Sequence, residues 1–549
     1  MDAIHRDVAS ASQTPWHDIV WPDVYRVVGR LQVRIAKATK AGKWRKVKHL
    51  QRLLTRSTSA KALAVRRVTE NRGSKTPGVD RETWSDPEAK AKAVMSLNHK
   101  GYKPLPLRRI YIPKANGDKR PLGIPTMRDR AMQALHLLAL DPVSESTGDK
   151  HSYGFRRERS TADAIEQVRN ALGRRHSPKW VLEGDIKGCF DNISHDWLLN
   201  HVCMDRSVLR KWLKSGFLEG NAFFPTPSGT PQGGIISPTL SNMALDGLQR
   251  ALKGLFSTER AARAAKVNFV RYADDFIITA SSKELLEDTV KPLVQDFLRQ
   301  RGLELSEKKT LITHVEEGFD FLGWNVRWLG KMLITQPSKR NTTAFLDKVR
   351  ALLKNRRTAN QVKVIQELNP IIRGWANYHR SQMSTRIFKK GDHLLWKALW
   401  HWSKRRHPNK GRRWIKKRYF STLQGRDWRF THKEHILLTL SGFQKKPHTK
   451  VRTDANPYLP EHEAYFADRI DKKMRSHLAG RRKLTWIWKG QNGCCPRCGE
   501  RITQETGWHL HHIIRRTDGG SDQCSNLELL HPTCHAQHHA KQSLASTKK

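Results

Sequence analysis

No stretch of this 549-residue chain holds the roughly 18 consecutive apolar residues that a membrane helix requires. The N-terminus, Met1-Asp2-Ala3-Ile4-His5-Arg6-Asp7, lacks the charged-then-apolar order of a secretory signal. The expectation is a soluble, intracellular protein with no membrane partner. Acid is scarce: 51 Asp and Glu stand against 101 Lys and Arg, a net charge of +50. A chain so charged repels itself unless a polyanion accompanies it, and the partner that fits is nucleic acid. Cysteine is scarce too. Of the seven, most crowd between Cys494 and Cys534, which excludes a disulfide framework and favours a local metal site. Internal repeats and low-complexity tracts are absent. With 18 Trp and 38% hydrophobic residues the chain folds rather than trailing as a basic disordered tail, and its length implies three or four domains.

The most informative segment present is Tyr272-Ala273-Asp274-Asp275, between one apolar strand and another, Phe276-Ile277-Ile278-Thr279-Ala280. It reads as a tight β-hairpin with acids at its tip. Upstream, the apolar run Trp180 to Gly184 ends on Asp185, so two strands can bring Asp185 beside Asp274 and Asp275. Carboxylates gathered in this way repel unless cations lie among them, and hard oxygen ligands favour Mg²⁺. Nucleotidyl transfer uses such an arrangement, with two ions serving the attacking hydroxyl and the leaving pyrophosphate. The sequence suggests a polymerase palm.

Residues 24–70 carry helical apolar spacing, broken at Gly73-Ser74-Lys75-Thr76-Pro77-Gly78. Pro113 to Asp118 marks a hairpin after the strand Arg109-Ile110-Tyr111-Ile112, and strands alternate with helices from 100 to 330. Residues 340–440 read as helical, with a start signal at Asn369-Pro370. Between Lys389 and Arg429, basic residues interleave Trp396, Trp400, Trp402, Trp414 and Trp428 in a manner suited to stacking on bases. The spacing of Trp396 and Trp400 favours a core role for those two. Residues 441–480 are polar and punctuated by proline, a linker or small basic module. Cys495-Pro496-Arg497-Cys498 and His531-Pro532-Thr533-Cys534 have the C-x₂-C and H-x₂-C spacing of a four-ligand zinc site. Cys494 is an alternative first ligand.

In order along the chain, these motifs resemble the bacterial group II intron-encoded proteins, which combine reverse transcriptase, maturase and endonuclease. Arg109 to Lys114 and Arg120 to Pro125 resemble the first fingers block, and Ser152-Tyr153-Gly154-Phe155-Arg156 the second. Asp185 to Asp191, Thr230-Pro231-Gln232-Gly233-Gly234 and Tyr272 to Asp275 resemble the catalytic and substrate-positioning blocks. Gly302 to Ser306 through Lys308, then Phe321-Leu322-Gly323-Trp324, resemble the last palm blocks. The resemblance implies that Asp185, Asp274 and Asp275 form the polymerase site, with Asp185 and Asp274 the foremost Mg²⁺ ligands. It implies Phe190 under the incoming sugar and Gln232 on the incoming nucleotide, with Lys114 and Arg120 neutralising the triphosphate. A core role for Phe190 is the alternative. Asn369 to Tyr378 resembles the thumb region called domain X; by helical spacing Ile371, Trp375 and Tyr378 face the core, leaving Arg373, Asn377 and Arg380 to meet RNA.

The order His511-His512, Gly519-Gly520, Asn526, His535 and His539 resembles an HNH nuclease. That resemblance implies His512 as general base, Asn526 orienting its ring, and His511, His535 and His539 holding a divalent ion, Mg²⁺ or Mn²⁺; His538 is an alternative to His539. The implied architecture is multidomain α/β and α: a basic helical extension over 1–75, right-hand fingers and palm over 76–335, a helical thumb/maturase domain over 336–440, a basic DNA-binding linker over 441–485, and a zinc-stapled ββα HNH domain over 486–549. The implied partners are group II intron RNA, double-stranded target DNA and dNTPs, in the bacterial cytoplasm and at the nucleoid during DNA targeting. Two rivals remain: an RNA-binding splicing cofactor with idle sites, and a reverse transcriptase of a defence or diversity system.

Overall fold

The computed structural model describes residues 16–546 apart from 72, 114–116 and 424, so Lys114 lies outside the described residues. The expected N-terminal helices are Trp21–Lys40, Trp44–Arg56 and Thr58–Thr69. Their apolar residues recur at three and four positions, which puts Val24, Val28, Ile35, Leu50, Leu54 and Val65 on buried faces. Those faces pack on the helix Met127–Thr147, whose start is capped by Thr126 accepting from the Asp129 N–H. The strands Leu107–Pro113 and Lys119–Ile124 pair antiparallel with Pro113 opposite Lys119, as the hairpin reading requires.

A second sheet carries the acids. Its spatial order is Asn268–Tyr272, Asp275–Ala280, Trp180–Gly184, Leu311–His314, and every neighbouring pair is antiparallel. Alternate residues enter two cores: Leu182, Phe276 and Ile278 on one face, Val181, Val270 and Ile277 on the other. Burial on both faces explains the unbroken apolar run Phe276–Ala280.

A three-stranded sheet, Phe319–Phe321, Trp324–Leu329 and Met332–Pro337, leads into the helices Lys339–Asn355, Gln361–His379 and Thr385–Arg406. No helix starts at Asn369-Pro370. Asn360 is the cap, accepting from the Lys363 N–H at 2.8 Å, and Pro370 lies inside the helix. The stripe Val364, Ile365, Leu368, Ile372 and Ala376 is buried throughout, so packing carries the helix across the proline. Asn369 instead bonds the Ile436 carbonyl and the Leu438 N–H. Nor is 340–440 wholly helical: Phe420–Leu423, Arg426–His432 and His435–Ile436 form a small antiparallel sheet. Trp402 is buried, while Trp396 and Trp400 sit half-buried at the edge of the same core.

Within 441–480, residues 448–458 are bonded to the helices Thr161–Leu172 and Met127–Thr147. Val451 N–H and His448 both reach Asp163, Asn456 reaches Ser146, and the Tyr458 hydroxyl reaches Asp141. At the C-terminal end, His509–His512 and Leu527–Leu530 pair antiparallel ahead of the helix Pro532–Ser546. This unit docks on the N-terminal helices: Gln537 donates to the Trp16 carbonyl at 3.1 Å, and Arg66 reaches the Cys534 sulfur at 3.9 Å. No helix of the described residues is long and apolar enough to cross a membrane.

Candidate functional site

Tyr272 pairs with Asp275, leaving Ala273 and Asp274 as a two-residue turn. Ala273 sits at φ +59°, a left-handed conformation unfavourable to alanine. Its support is Arg271, fully buried, which donates to the Ala273 carbonyl at 3.3 Å and to Asn242 at 3.1 Å and pairs with Asp246. Beneath the turn lies the Ser152–Arg156 block. Tyr153 N–H bonds the Arg271 carbonyl at 2.9 Å, and Gly154 approaches so closely that a Cβ there would lie 2.3 Å from the Ala273 nitrogen.

Asp185 follows Gly184, which is paired with Phe276, so it emerges at the same end of the sheet as Asp274 and Asp275. Lys309 donates to its carboxylate at 3.0 Å, and the Asp185 carbonyl accepts from Ser306 N–H. Partial desolvation, then repulsion from Asp274 and Asp185, pushes the Asp275 carboxyl up to about 6, although its surface opens to solvent on one side. Asp274 is raised for the same reasons, opposed by the charges of Arg120 and Lys309. The three carboxylates do not converge on one point. Among the described residues, the groups of three or more ligating side chains within 4.8 Å of one another both lie in the C-terminal unit. Hard oxygen donors under mutual repulsion nonetheless fit Mg²⁺, which would relieve that repulsion.

Phe190 stands on the short helix Cys189–Asn192, half-buried, with the exposed Phe155 ring edge-on at 6.2 Å. It is not sealed in the core. The Gln232 side chain donates to Asp191 at 3.1 Å, while its carbonyl accepts from Gly123 N–H at 2.7 Å. Thr230 N–H bonds the Phe190 carbonyl, so this loop ties the Phe190 helix to the strand that carries exposed Arg120.

In the C-terminal unit, Cys495, Cys498, His531 and Cys534 are all buried, with ligand atoms within 4.8 Å of one another. Three sulfurs and one imidazole at this spacing fit Zn²⁺. A second cluster joins His511, His535 and His539, again within 4.8 Å. His535 and His539 share a helix face, and their Nε2 atoms are 3.2 Å apart. Burial, then the neighbouring imidazoles, lowers His511 to about 4, leaving it neutral and able to ligate. His512 follows it on the strand and takes another partner. Its Nε2 meets Asp522 at 2.8 Å, and Arg516 holds the same carboxylate. Asn526 does not orient the His512 ring through its side chain, contrary to expectation: its amide is spent on the Ile514 N–H and carbonyl and the Ser521 carbonyl, closing the loop between.

On the helix Gln361–His379 the buried line is Leu368, Ile372, Ala376 and His379. Trp375 packs at its edge, whereas Tyr378 is exposed and donates to the Leu322 carbonyl. Arg373 and Asn377 are exposed one turn apart. Arg380 is half-buried and donates to Ser476 at 3.2 Å. Lys309, Arg271 and Asp522 are the participants that sequence reasoning missed. The only signals were an acid in the Gly-rich loop after His512 and a lysine one residue beyond the palm block.

Four family matches cover the chain in succession. They are the N-terminal domain of reverse transcriptase (16–97), reverse transcriptase (RNA-dependent DNA polymerase) (112–326), the group II intron maturase-specific domain (342–420) and HNH endonuclease (495–541). Together they define a reverse transcriptase fused to maturase and nuclease domains. Protein YkfC of Escherichia coli is 32% identical over 340 residues, 54% of this chain and 87% of that one. Group II intron-encoded protein LtrA of Lactococcus lactis is 33% identical over 329 residues, 48% of this chain; the chain spans about half of LtrA, 54% of its length. Among solved structures, telomerase from Candida albicans matches with a TM-score of 0.34 and 14% identity, over 55% of this chain and 58% of that one. The chain belongs to the group II intron-encoded reverse transcriptase/maturases and carries an HNH domain.

Proposed function

We propose that this protein binds its intron RNA and assists splicing, cleaves double-stranded target DNA with the HNH unit, and copies the RNA into cDNA from the freed 3′ end. The observation that carries the reading is the shared sheet end: Asp185 follows Gly184, which pairs with Phe276, and Asp274 and Asp275 lie at the hairpin turn beside it. Asp185 and Asp274 would hold two Mg²⁺ ions, whose chemistry when bound is to activate a primer 3′ hydroxyl and stabilise departing pyrophosphate. The primer oxygen bonds to the α-phosphorus of a dNTP as the bond to pyrophosphate breaks. Phe190 and Gln232 line the nucleotide and Arg120 offsets its charge. Arg271 and Gly154 fix the turn, and Lys309 steadies Asp185.

Residues 76–335 then serve as fingers and palm behind the helical extension 1–75, and 336–440 as the thumb and maturase domain, where Arg373 and Asn377 offer an exposed RNA face and Arg380 lies beside it. The basic segment 441–485 would follow target DNA. Zn²⁺ on Cys495, Cys498, His531 and Cys534 would staple a unit with little core of its own. His511, His535 and His539 would hold the nuclease ion, Mg²⁺ or Mn²⁺. His512, aligned by Asp522, takes a proton from the attacking water, and cleavage that frees a 3′ hydroxyl supplies the primer. Such work belongs in the bacterial cytoplasm and, during targeting, at the nucleoid. The adjoining maturase and HNH domains weigh against a defence-system enzyme, and the complete acid and histidine sets weigh against a binding-only cofactor.

The test uses the ribonucleoprotein and a validated double-stranded target. His512→Ala should lose cleavage of the strand that supplies the primer while splicing and extension of an added primer continue. Normal cleavage by the variant would refute His512 as base, and no cleavage by wild type in either Mg²⁺ or Mn²⁺ would refute the nuclease role.

A further inference from the structure

A second basin of aromatic and basic residues lies away from both acid and histidine sites. It is a cavity of about 530 Å³ between the helix Thr385–Arg406 and the strand Arg426–His432, walled by Trp396, Phe420, Trp428 and Phe430. That volume suits a nucleotide-sized ligand. Trp428 sits edge-on to Trp396 and Trp400, each at 5.5 Å, and stays partly exposed. Its φ is +61°, a left-handed conformation that bulky side chains avoid and that is held where the surroundings impose it. The Trp396 indole N–H is buried with no acceptor among the described residues.

The charge at the rim is of one sign in effect. Asp392 is spent on the N–H groups of Leu440 and Ser441, and Asp427 on Lys416 and Thr422. Arg426 is exposed at the mouth, and Lys416 lies 4.7 Å from the centre of the Trp428 ring. An aromatic wall, an unmet buried donor and an exposed cation are what an unstacked base with its phosphate would satisfy.

We propose that this cavity captures a single extruded nucleobase of the intron RNA, stacked against Trp428, hydrogen-bonded by the Trp396 N–H and held at its phosphate by Arg426. The proposal rests on the intron-RNA reading above and adds a base-specific contact to it. The test uses the full chain and two RNA duplexes, one with a single bulged 2-aminopurine and one with an abasic residue at the bulge. Wild type should bind the first about tenfold tighter, with a change in 2-aminopurine fluorescence on binding. Trp428→Ala should erase that difference without weakening the abasic complex, while Trp428→Phe should keep most of it. Trp396→Phe, which keeps a ring but removes the donor, should lose part of it and guards against Trp428→Ala failing to fold. Equal binding of both duplexes by wild type, or undiminished discrimination by Trp428→Ala or Trp396→Phe, overturns the pocket. Failure of wild type to bind either duplex overturns instead the RNA-binding reading beneath it.

Discussion

Replacing Gly154 with alanine adds one carbon to the chain and should disable the polymerase site without touching an acid. A Cβ at this position would stand 2.3 Å from the Ala273 nitrogen, 2.9 Å from the Tyr272 carbonyl carbon and 3.0 Å from the Ala273 Cα, whereas ordinary contact begins at 3.4 Å. All three neighbours are backbone, so no side chain can swing aside; relief requires the turn to move by about 1 Å. A misplacement of that size costs on the order of 100-fold in rate, or about 2.7 kcal/mol of barrier. Overpacking should lower global stability by about 1–3 kcal/mol. The assay is single-turnover primer extension on an RNA template with saturating dNTPs, alongside thermal unfolding. Gly374→Ala is the control: it lies within a helix with nothing near its Cβ position and should gain up to about 1 kcal/mol of stability at unchanged rate. Extension by folded Gly154→Ala within about threefold of wild type would refute the claim that the hairpin turn is held by this contact.

Four further outcomes follow from the same geometry. Phe190→Val should raise ribonucleotide incorporation relative to dNTPs, and an unchanged preference would return Phe190 to a packing role. Cys498→Ala should abolish bound zinc, measured by metal analysis, and expose residues 486–546 to protease; retained zinc would argue against the four-ligand site. RNA affinity should fall steeply with salt, given +50 net charge, and a flat dependence would argue against phosphate contacts. Burial lowers His136 and His379 to about 3, so the folded chain refuses protons that the unfolded chain accepts below about 6.5. Stability should therefore fall as pH drops from about 6.5 toward 3, by at most about 2.7 kcal/mol per unit for the two together. His379→Gln should flatten that dependence in thermal melts, and an unaltered slope would count against it.

The acid hairpin was legible because everything that forms it is local: two apolar runs, a two-residue turn and acids at fixed offsets. The two Cys/His ligand groups were legible in part for a different reason: the C-x₂-C and H-x₂-C spacings and the shared helix face of His535 and His539 are written in residue numbers, whereas His511 joins from a separate strand. What escaped depends on distance along the chain. Lys309 reaches Asp185 across 124 positions, and with 101 Lys and Arg residues one more lysine carries no signal. Arg271 lies next to the motif, but nothing local marks its role, which depends on Asn242 and Asp246 being folded around it. Asn369-Pro370 misleads because capping chemistry also fits an interior turn whose packing continues and whose asparagine serves the Leu438 N–H. The small sheet at 420–436 is obscured by a register shift between Ser421 and Leu423, which breaks the alternation that marks a strand.

The central claim, that the hairpin acids make this chain an RNA-directed DNA polymerase, is tested most directly by Asp274→Asn in primer extension on an RNA template. The substitution keeps the size of the side chain and removes its charge. cDNA synthesis should fall to background while RNA affinity and thermal stability stay near wild type; extension at a rate close to wild type would contradict the assignment of the polymerase site.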